Sequence, residues 1–166
     1  MKIIKITAAC LLITWICYSH YPFSYVCTDQ VIGQIMGYPM PDVIKRCQKD
    51  YGYTDEDMII LEKEFKRYLI LAVLAKNNSD GVGMYSKDVD NLWHSFILFT
   101  KDYSDFCSKY SGKFIHHLPE TSETKTSEQM AETQKDFYKF IKKYEETFAE
   151  EIHSVWLLDI FEDQVA

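Results

Sequence analysis

The sequence predicts an all-α protein, a small helical bundle preceded by an N-terminal hydrophobic segment. Three observations lead to this prediction. Apolar residues recur at three- and four-residue spacing over several long stretches, which is the helical period. No stretch shows the alternation of apolar and polar residues that is typical of a strand. Aromatic residues make up 15% of the 166 residues, so there is enough bulky apolar surface to fill a core between helices.

Residues 1–26 differ from the rest of the chain. Lys2 and Lys5 precede an apolar run that begins at Ile6, a pattern typical of a secretory signal. Because the small residues that a signal peptidase prefers are missing after the run, we expect an uncleaved signal anchor. This predicts a single-pass membrane protein whose C-terminal body lies outside the cytoplasm, since the lysines stay inside. A cleaved signal peptide, giving a secreted or periplasmic protein, and a buried N-terminal helix are the alternatives.

Residues 27–50 are expected to connect this segment to the body. Glycines and prolines break any long helix here, and short helical turns fit residues 30–36 and 41–48. Cys27 and Cys47 flank the part of the connector that contains these glycines and prolines. They could pair as a disulfide in an oxidising compartment. The alternative is that they are two ordinary buried thiols.

Residues 51–163 are predicted to form the helical domain, which begins with a long helix. Thr54 and the acidic residues that follow it have the pattern of a capping box, with negative charge in the first turn where the helix dipole favours it. The helix should end near Lys76, because residues 77–81 are asparagine, serine, aspartate and glycine, which favour turns.

Two further helices complete the predicted domain. The second runs over residues 87–109 and carries apolar residues on more than one face, which predicts a central position. Gly112 is its expected C-terminal cap. After a polar loop at residues 120–128, a third helix follows, and its apolar edge continues past a bend near Ala149 to Ile160.

Three of the five histidines lie close together in the sequence. Asp90 and His94 are four positions apart, so a helix places them on one face. His116 and His117 lie in an extended segment, where neighbouring side chains point to opposite faces. One of the two is therefore expected to meet His94. We favour His117, because the rigid Pro119 follows it closely, and keep His116 as the substitute.

The histidine cluster has three interpretations. We expect a structural network of hydrogen bonds; a divalent metal site and acid–base catalysis without metal are the alternatives. A metal needs three or four ligands, and Asp90, His94 and His117 supply three, with Glu120 as a candidate fourth. Cys107 lies roughly 20 Å along the same predicted helix from His94, so it is assigned to the core.

The Val-Asp-x-x-Trp-His run at 89–94 and the His-His-x-Pro run at 116–119 resemble the glycine-rich domain-containing protein-like family of plant and short bacterial proteins. The resemblance covers about residues 51–156, beginning at the two tyrosines around Gly52. It implies a small helical domain without a settled activity, and it marks Trp93, Gly112 and Pro119 as structural motif residues. The positions that match the family motif are Asp90, Trp93, His94, Cys107, Gly112, His117 and Pro119.

Charge and motif content restrict the function classes. A formal net charge of −7 without a basic stripe argues against nucleic-acid binding. The chain has no glycine-rich phosphate loop, nucleophile elbow or HExxH motif. We therefore expect a membrane-anchored or exported helical interaction domain of unidentified ligand rather than an enzyme. The alternatives are a metal-dependent hydrolase that uses Asp90, His94 and His117 as ligands, and a cytoplasmic module whose N-terminal helix binds a protein partner.

Overall fold

The structure, a computed structural model, describes residues 23–75, 82–118 and 126–157, with only the backbone for residues 23–27. Every regular element in these ranges is helical, so the all-α prediction is confirmed. The α-helices are α1 (Phe23–Met36), α2 (Pro41–Tyr51), α3 (Asp55–Leu74), α4 (Lys87–Leu98), α5 (Thr100–Phe106) and α6 (Ser127–Phe148). A π-helical turn covers Cys107–Ser111, and a 3₁₀ turn covers Ser154–Trp156.

The chain divides into two compact units, Met1–Gly37 and Tyr38–Ala166. Of the described helices, α1 belongs to the first unit and all others belong to the second. None of the described helices is long and apolar enough to span a bilayer. The predicted signal anchor falls mainly on residues 1–22, which lie outside the described residues, so it stays a prediction.

Helix α3 begins where the sequence predicts. The Thr54 hydroxyl accepts a hydrogen bond from the Asp57 amide at 3.1 Å, and the Asp57 carboxylate accepts one from the Thr54 amide at 2.9 Å. This reciprocal pair is a capping box, and the helix then continues to Leu74. Helix α3 packs against α2, α4 and α6, so it forms the centre of the domain together with α4.

The prediction of one continuous helix over residues 87–109 is wrong, because the structure has two helices, α4 and α5, separated at Phe99. This residue has φ −83° and ψ 63°, close to the values of an inverse γ-turn. Its amide donates to the Phe96 carbonyl at 3.0 Å, while its own carbonyl accepts the Tyr103 amide at 2.9 Å. The chain therefore changes direction here, and Leu98, the last residue of α4, is exposed.

Gly112 ends the following helical segment, as predicted. Its φ is 67°, in the left-handed region that glycine adopts without steric cost. Its amide donates to the Cys107 carbonyl at 3.0 Å and so closes the π turn. The chain then reverses, and residues 113–118, called the His117 segment below, return towards α4 without forming a helix or strand.

The predicted continuation of the third helix beyond Ala149 is also wrong. Helix α6 ends at Phe148, and Ala149 is left-handed with φ 51°. Trp156 lies in a short 3₁₀ turn instead, where it is fully buried. Ile160, the expected end of the apolar edge, lies outside the described residues.

Aromatic rings dominate the core of the larger unit. The rings of Phe96 and Tyr103 meet edge to face with centroids 5.1 Å apart, and Tyr68 lies 5.0 Å from Trp93. Such tilted and edge-on contacts stabilise a core beyond simple area burial. The largest fully buried aromatic side chains are Phe65, Phe96, Tyr103, Phe106, Phe140, Tyr144 and Trp156.

Candidate metal centre

Asp90, His94 and His117 lie together at the surface of α4. Helix α4 carries Asp90 and His94 one turn apart, and the Nδ1 of His94 is 3.4 Å from one carboxylate oxygen of Asp90. The other oxygen of the same carboxylate is 2.7 Å from the Nε2 of His117. The two imidazole rings are 4.4 Å apart. The predicted contact of His94 with Asp90 and with the chain that follows Gly112 is therefore confirmed.

The three side chains form a group that could hold a metal ion. One ligand atom from each lies within 4.8 Å of the others. In a tetrahedral zinc site the ligand atoms are about 2.0–2.2 Å from the ion and therefore about 3.3–3.6 Å from one another. The side chains would have to turn so that the widest separation in this set shortens by about 1 Å when an ion binds. Two imidazoles and a carboxylate suit a transition metal better than magnesium or calcium, which prefer oxygen.

The three side chains of the candidate centre differ in their exposure to solvent. The His94 side chain is 43% exposed, Asp90 is 23% exposed and His117 is 11% exposed. His117 therefore forms the inner wall, and His94 borders the solvent. A sealed, fully bonded histidine would indicate a purely structural role. The exposure of His94 instead leaves room for a further ligand.

Trp93 and Tyr103 support His117 from the interior. The Trp93 ring meets the His117 imidazole edge-on, with centroids 4.5 Å apart. The Trp93 indole nitrogen donates to the Tyr103 hydroxyl at 3.0 Å, and that hydroxyl donates to the Ile115 carbonyl at 2.6 Å. Burial raises the pKa of Tyr103 above its ordinary value, so the hydroxyl remains a donor at neutral pH.

Other predicted candidates lie elsewhere. His116 is exposed and its ring faces Phe114 at 5.1 Å, so the structure brings His117 and not its substitute to Asp90. Cys107 is a buried free thiol of the core. Glu120 and Pro119 lie outside the described residues.

A polar cluster beside the centre was missed by the sequence analysis. The Tyr53 hydroxyl donates to Asp88 at 2.6 Å and accepts from the side-chain amide of Asn91 at 2.8 Å. Burial and the bond to the Asp88 carboxylate raise the pKa of Tyr53. These bonds fix the start of α4, and thereby Asp90, against the turn after α2. The two tyrosines around Gly52 were the available signal, but spacing alone does not connect them with α4.

The predicted disulfide between Cys27 and Cys47 stays a prediction. Cys47 is a buried free thiol in the structure, whereas Cys27 belongs to the residues whose side chains are not described. Burial raises the pKa of the Cys47 thiol above its ordinary value. Cys47 is not in the group of candidate ligands that the structure brings together.

Comparison with known proteins corrects the family assignment. No curated protein and no solved structure matches the chain significantly. A family model described as UCP032817-like matches residues 32–165, and nothing supports the glycine-rich domain-containing protein-like family. The resemblance drawn from the histidine motifs is therefore wrong: short runs such as Val-Asp-x-x-Trp-His do not identify a family by themselves. The chain belongs to the UCP032817-like family, an uncharacterised one.

Proposed function

We propose that this domain binds a divalent transition metal ion through Asp90, His94 and His117. The observation that carries the proposal is the meeting of three ligand atoms from α4 and the His117 segment within 4.8 Å. Two imidazoles and one carboxylate form the set found in catalytic zinc sites and in non-haem iron sites. The ligands come from two elements, so the ion would also fasten the His117 segment to α4.

The alternative to a metal site is a structural clamp, that is, hydrogen bonds that only hold the His117 segment against α4. A bound ion explains the position of His94 better than such a clamp does. A clamp between the His117 segment and α4 needs only the short bond from His117 to Asp90. His94 adds a 3.4 Å contact on an exposed side chain, and exposed ion pairs contribute little to stability. Its ring nitrogen nevertheless lies within 4.8 Å of a ligand atom of Asp90 and one of His117, and a shared ion requires this proximity.

The proposed centre leaves a coordination position for water or another exchangeable ligand. Among the residues that the structure describes, no fourth histidine, cysteine or carboxylate joins the group. Three protein ligands with a position left to water are the arrangement of catalytic zinc sites. When bound, a zinc ion lowers the pKa of its water towards neutrality and supplies a nucleophile. Metal-dependent hydrolysis is therefore the chemistry that this set of residues supports.

Zinc affinity tests the proposal. The full-length chain is kept in a non-ionic detergent and titrated against a chromophoric chelator. We expect His94→Ala and Asp90→Asn to weaken zinc binding by more than the roughly 10–100-fold that the loss of a supporting contact costs. His116→Ala, which removes an adjacent exposed histidine, is the matched control and should bind as the wild type does. Equal affinities of the wild type and His94→Ala would leave the structural clamp as the explanation.

We also propose that residues 1–26 attach the protein to a membrane, with the body on the far side. The support is the apolar run that follows Lys2 and Lys5. Fractionation of cells after an alkaline wash tests this proposal. The full-length chain should stay with the membrane fraction, and its complete release would contradict the anchor.

A further inference from the structure

We infer that Tyr103 is the positioning residue of the metal centre, because it fixes the register in which the His117 segment meets α4. The inference rests on the proposed function. Tyr103 lies on α5, which contributes no ligand, and its ring is fully buried. It acts on the centre through the segment that carries His117.

The His117 segment depends on side-chain contacts for its conformation. Its residues 114–118 belong to no helix or strand, so no regular ladder of backbone bonds holds it. The Tyr103 hydroxyl binds the carbonyl of Ile115, two positions before His117, at 2.6 Å. The Tyr103 ring also packs edge-on against Phe114, with centroids 5.2 Å apart. One side chain thus holds two consecutive residues of the segment.

This attachment decides which histidine reaches Asp90. Successive side chains of an extended chain point to opposite faces. Ile115 and His117 are half-buried, whereas Phe114, His116 and Leu118 are exposed, so the segment follows this alternation. A slip by one residue would turn His116 inward and His117 outward. The bond to Ile115 therefore specifies His117 as the ligand.

Trp93 completes the support from α4. Its indole nitrogen donates to the Tyr103 hydroxyl at 3.0 Å, so the hydroxyl hydrogen is directed towards Ile115. Its ring meets the His117 imidazole at 4.5 Å. Because Trp93 directly precedes His94 on α4, it connects both histidine positions to one rigid helix.

Tyr103→Phe tests the inference, since it keeps the ring and removes the hydroxyl. We expect the zinc affinity of the full-length chain to fall about 10–100-fold, the usual effect of losing a supporting contact. Tyr144→Phe is the matched control, because it removes a buried hydroxyl whose partners, Glu64 and Arg67, lie on α3 and not on α4 or the His117 segment. Its zinc affinity should stay at the wild-type value. Equal losses of affinity in the two variants, or no loss in Tyr103→Phe, would overturn the inference.

A second readout separates this inference from the metal proposal. The ring-nitrogen NMR signals of His117 and His116 in the metal-free chain report their surroundings directly. In Tyr103→Phe the His117 signals should move towards those of the exposed His116, whether or not zinc binds. A wild type that binds no zinc defeats the metal proposal alone. Unchanged His117 signals defeat the positioning role, and Trp93→Phe, which removes the indole donor, serves as the second variant if Tyr103→Phe does not fold.

Discussion

The indole nitrogen of Trp156 donates a hydrogen bond to the Oε2 of Glu64 at 2.8 Å, across 92 positions of sequence. The same oxygen accepts the Tyr144 hydroxyl at 2.8 Å, and the other oxygen lies 3.3 Å from the guanidinium of Arg67. Glu64 is 1% exposed. A buried carboxylate is tolerated only when it is paired and hydrogen-bonded. This network therefore joins α3, α6 and the C-terminal turn into one core.

Removing the carboxylate at the centre of this network should destabilise the domain strongly. Glu64→Ala removes the buried one of the two carboxylates that pair with Arg67, and it removes the acceptor of the Trp156 indole nitrogen. We expect a loss of about 3–5 kcal/mol in the free energy of unfolding, measured by urea titration. Glu132→Ala is the control, since it breaks an exposed ion pair with Lys135 and should cost less than about 1 kcal/mol. Similar losses in both variants would contradict the central place of Glu64.

Trp93→Ala should lower the free energy of unfolding about as much as Glu64→Ala does, but for a different reason. The ring is buried and packs against Tyr68 and His117, so its removal leaves a cavity as well as lost apolar burial. We expect a decrease of about 3–5 kcal/mol in the free energy of unfolding. Tyr138→Ala removes an exposed ring of α6 and should stay within about 0.5 kcal/mol. A melting temperature unchanged by Trp93→Ala would disprove the burial of this ring.

Glu150 should contribute stability that depends on pH. The Arg67 guanidinium, 2.7 Å away, and Lys63 hold the pKa of the Glu150 carboxyl below its ordinary value of 4.5. Because the pKa is lower in the folded state than in the unfolded state, the contribution is present above pH 4.5 and is lost as the pH falls through the folded-state pKa.

Urea unfolding of the wild type and Glu150→Gln over pH 3–7 checks this expectation. The wild type should be the more stable protein at neutral pH, and the difference between the two should shrink as the pH falls below 4.5. A difference that is the same at all pH values would show that the carboxylate charge is not involved.

The sequence was sufficient where local rules decide the structure. Thr54 and Asp57 form a capping box within three residues, and Gly112 occupies a left-handed position that glycine favours. The four-residue spacing of Asp90 and His94 fixes their common helical face. The alternation of an extended chain separates His116 from His117. In each case, the interacting groups lie within a few positions of one another.

The sequence was insufficient where contacts between residues far apart in the chain determine the structure. The apolar period continues through Phe99, so the spacing indicates one helix, while Thr100 and Asp102 are weak signals for a new start. After the break, the Tyr103 hydroxyl accepts a hydrogen bond from Trp93 and donates one to the carbonyl of Ile115. The apolar spacing predicts that the third helix continues past Ala149 towards Ile160, but the position of Trp156 depends on its bond to Glu64, 92 positions away. Spacing along the chain carries no information on such pairs.

The metal content of the purified full-length chain tests the central claim most directly. The chain is dialysed against zinc, freed of unbound ion and analysed by plasma mass spectrometry, together with three variants. We expect one zinc ion per chain in the wild type and in His116→Ala, and little or none in Asp90→Asn and His94→Ala. A wild type without bound zinc, or a His94→Ala variant that retains as much zinc as the wild type, would contradict the assignment of Asp90, His94 and His117 as a metal centre.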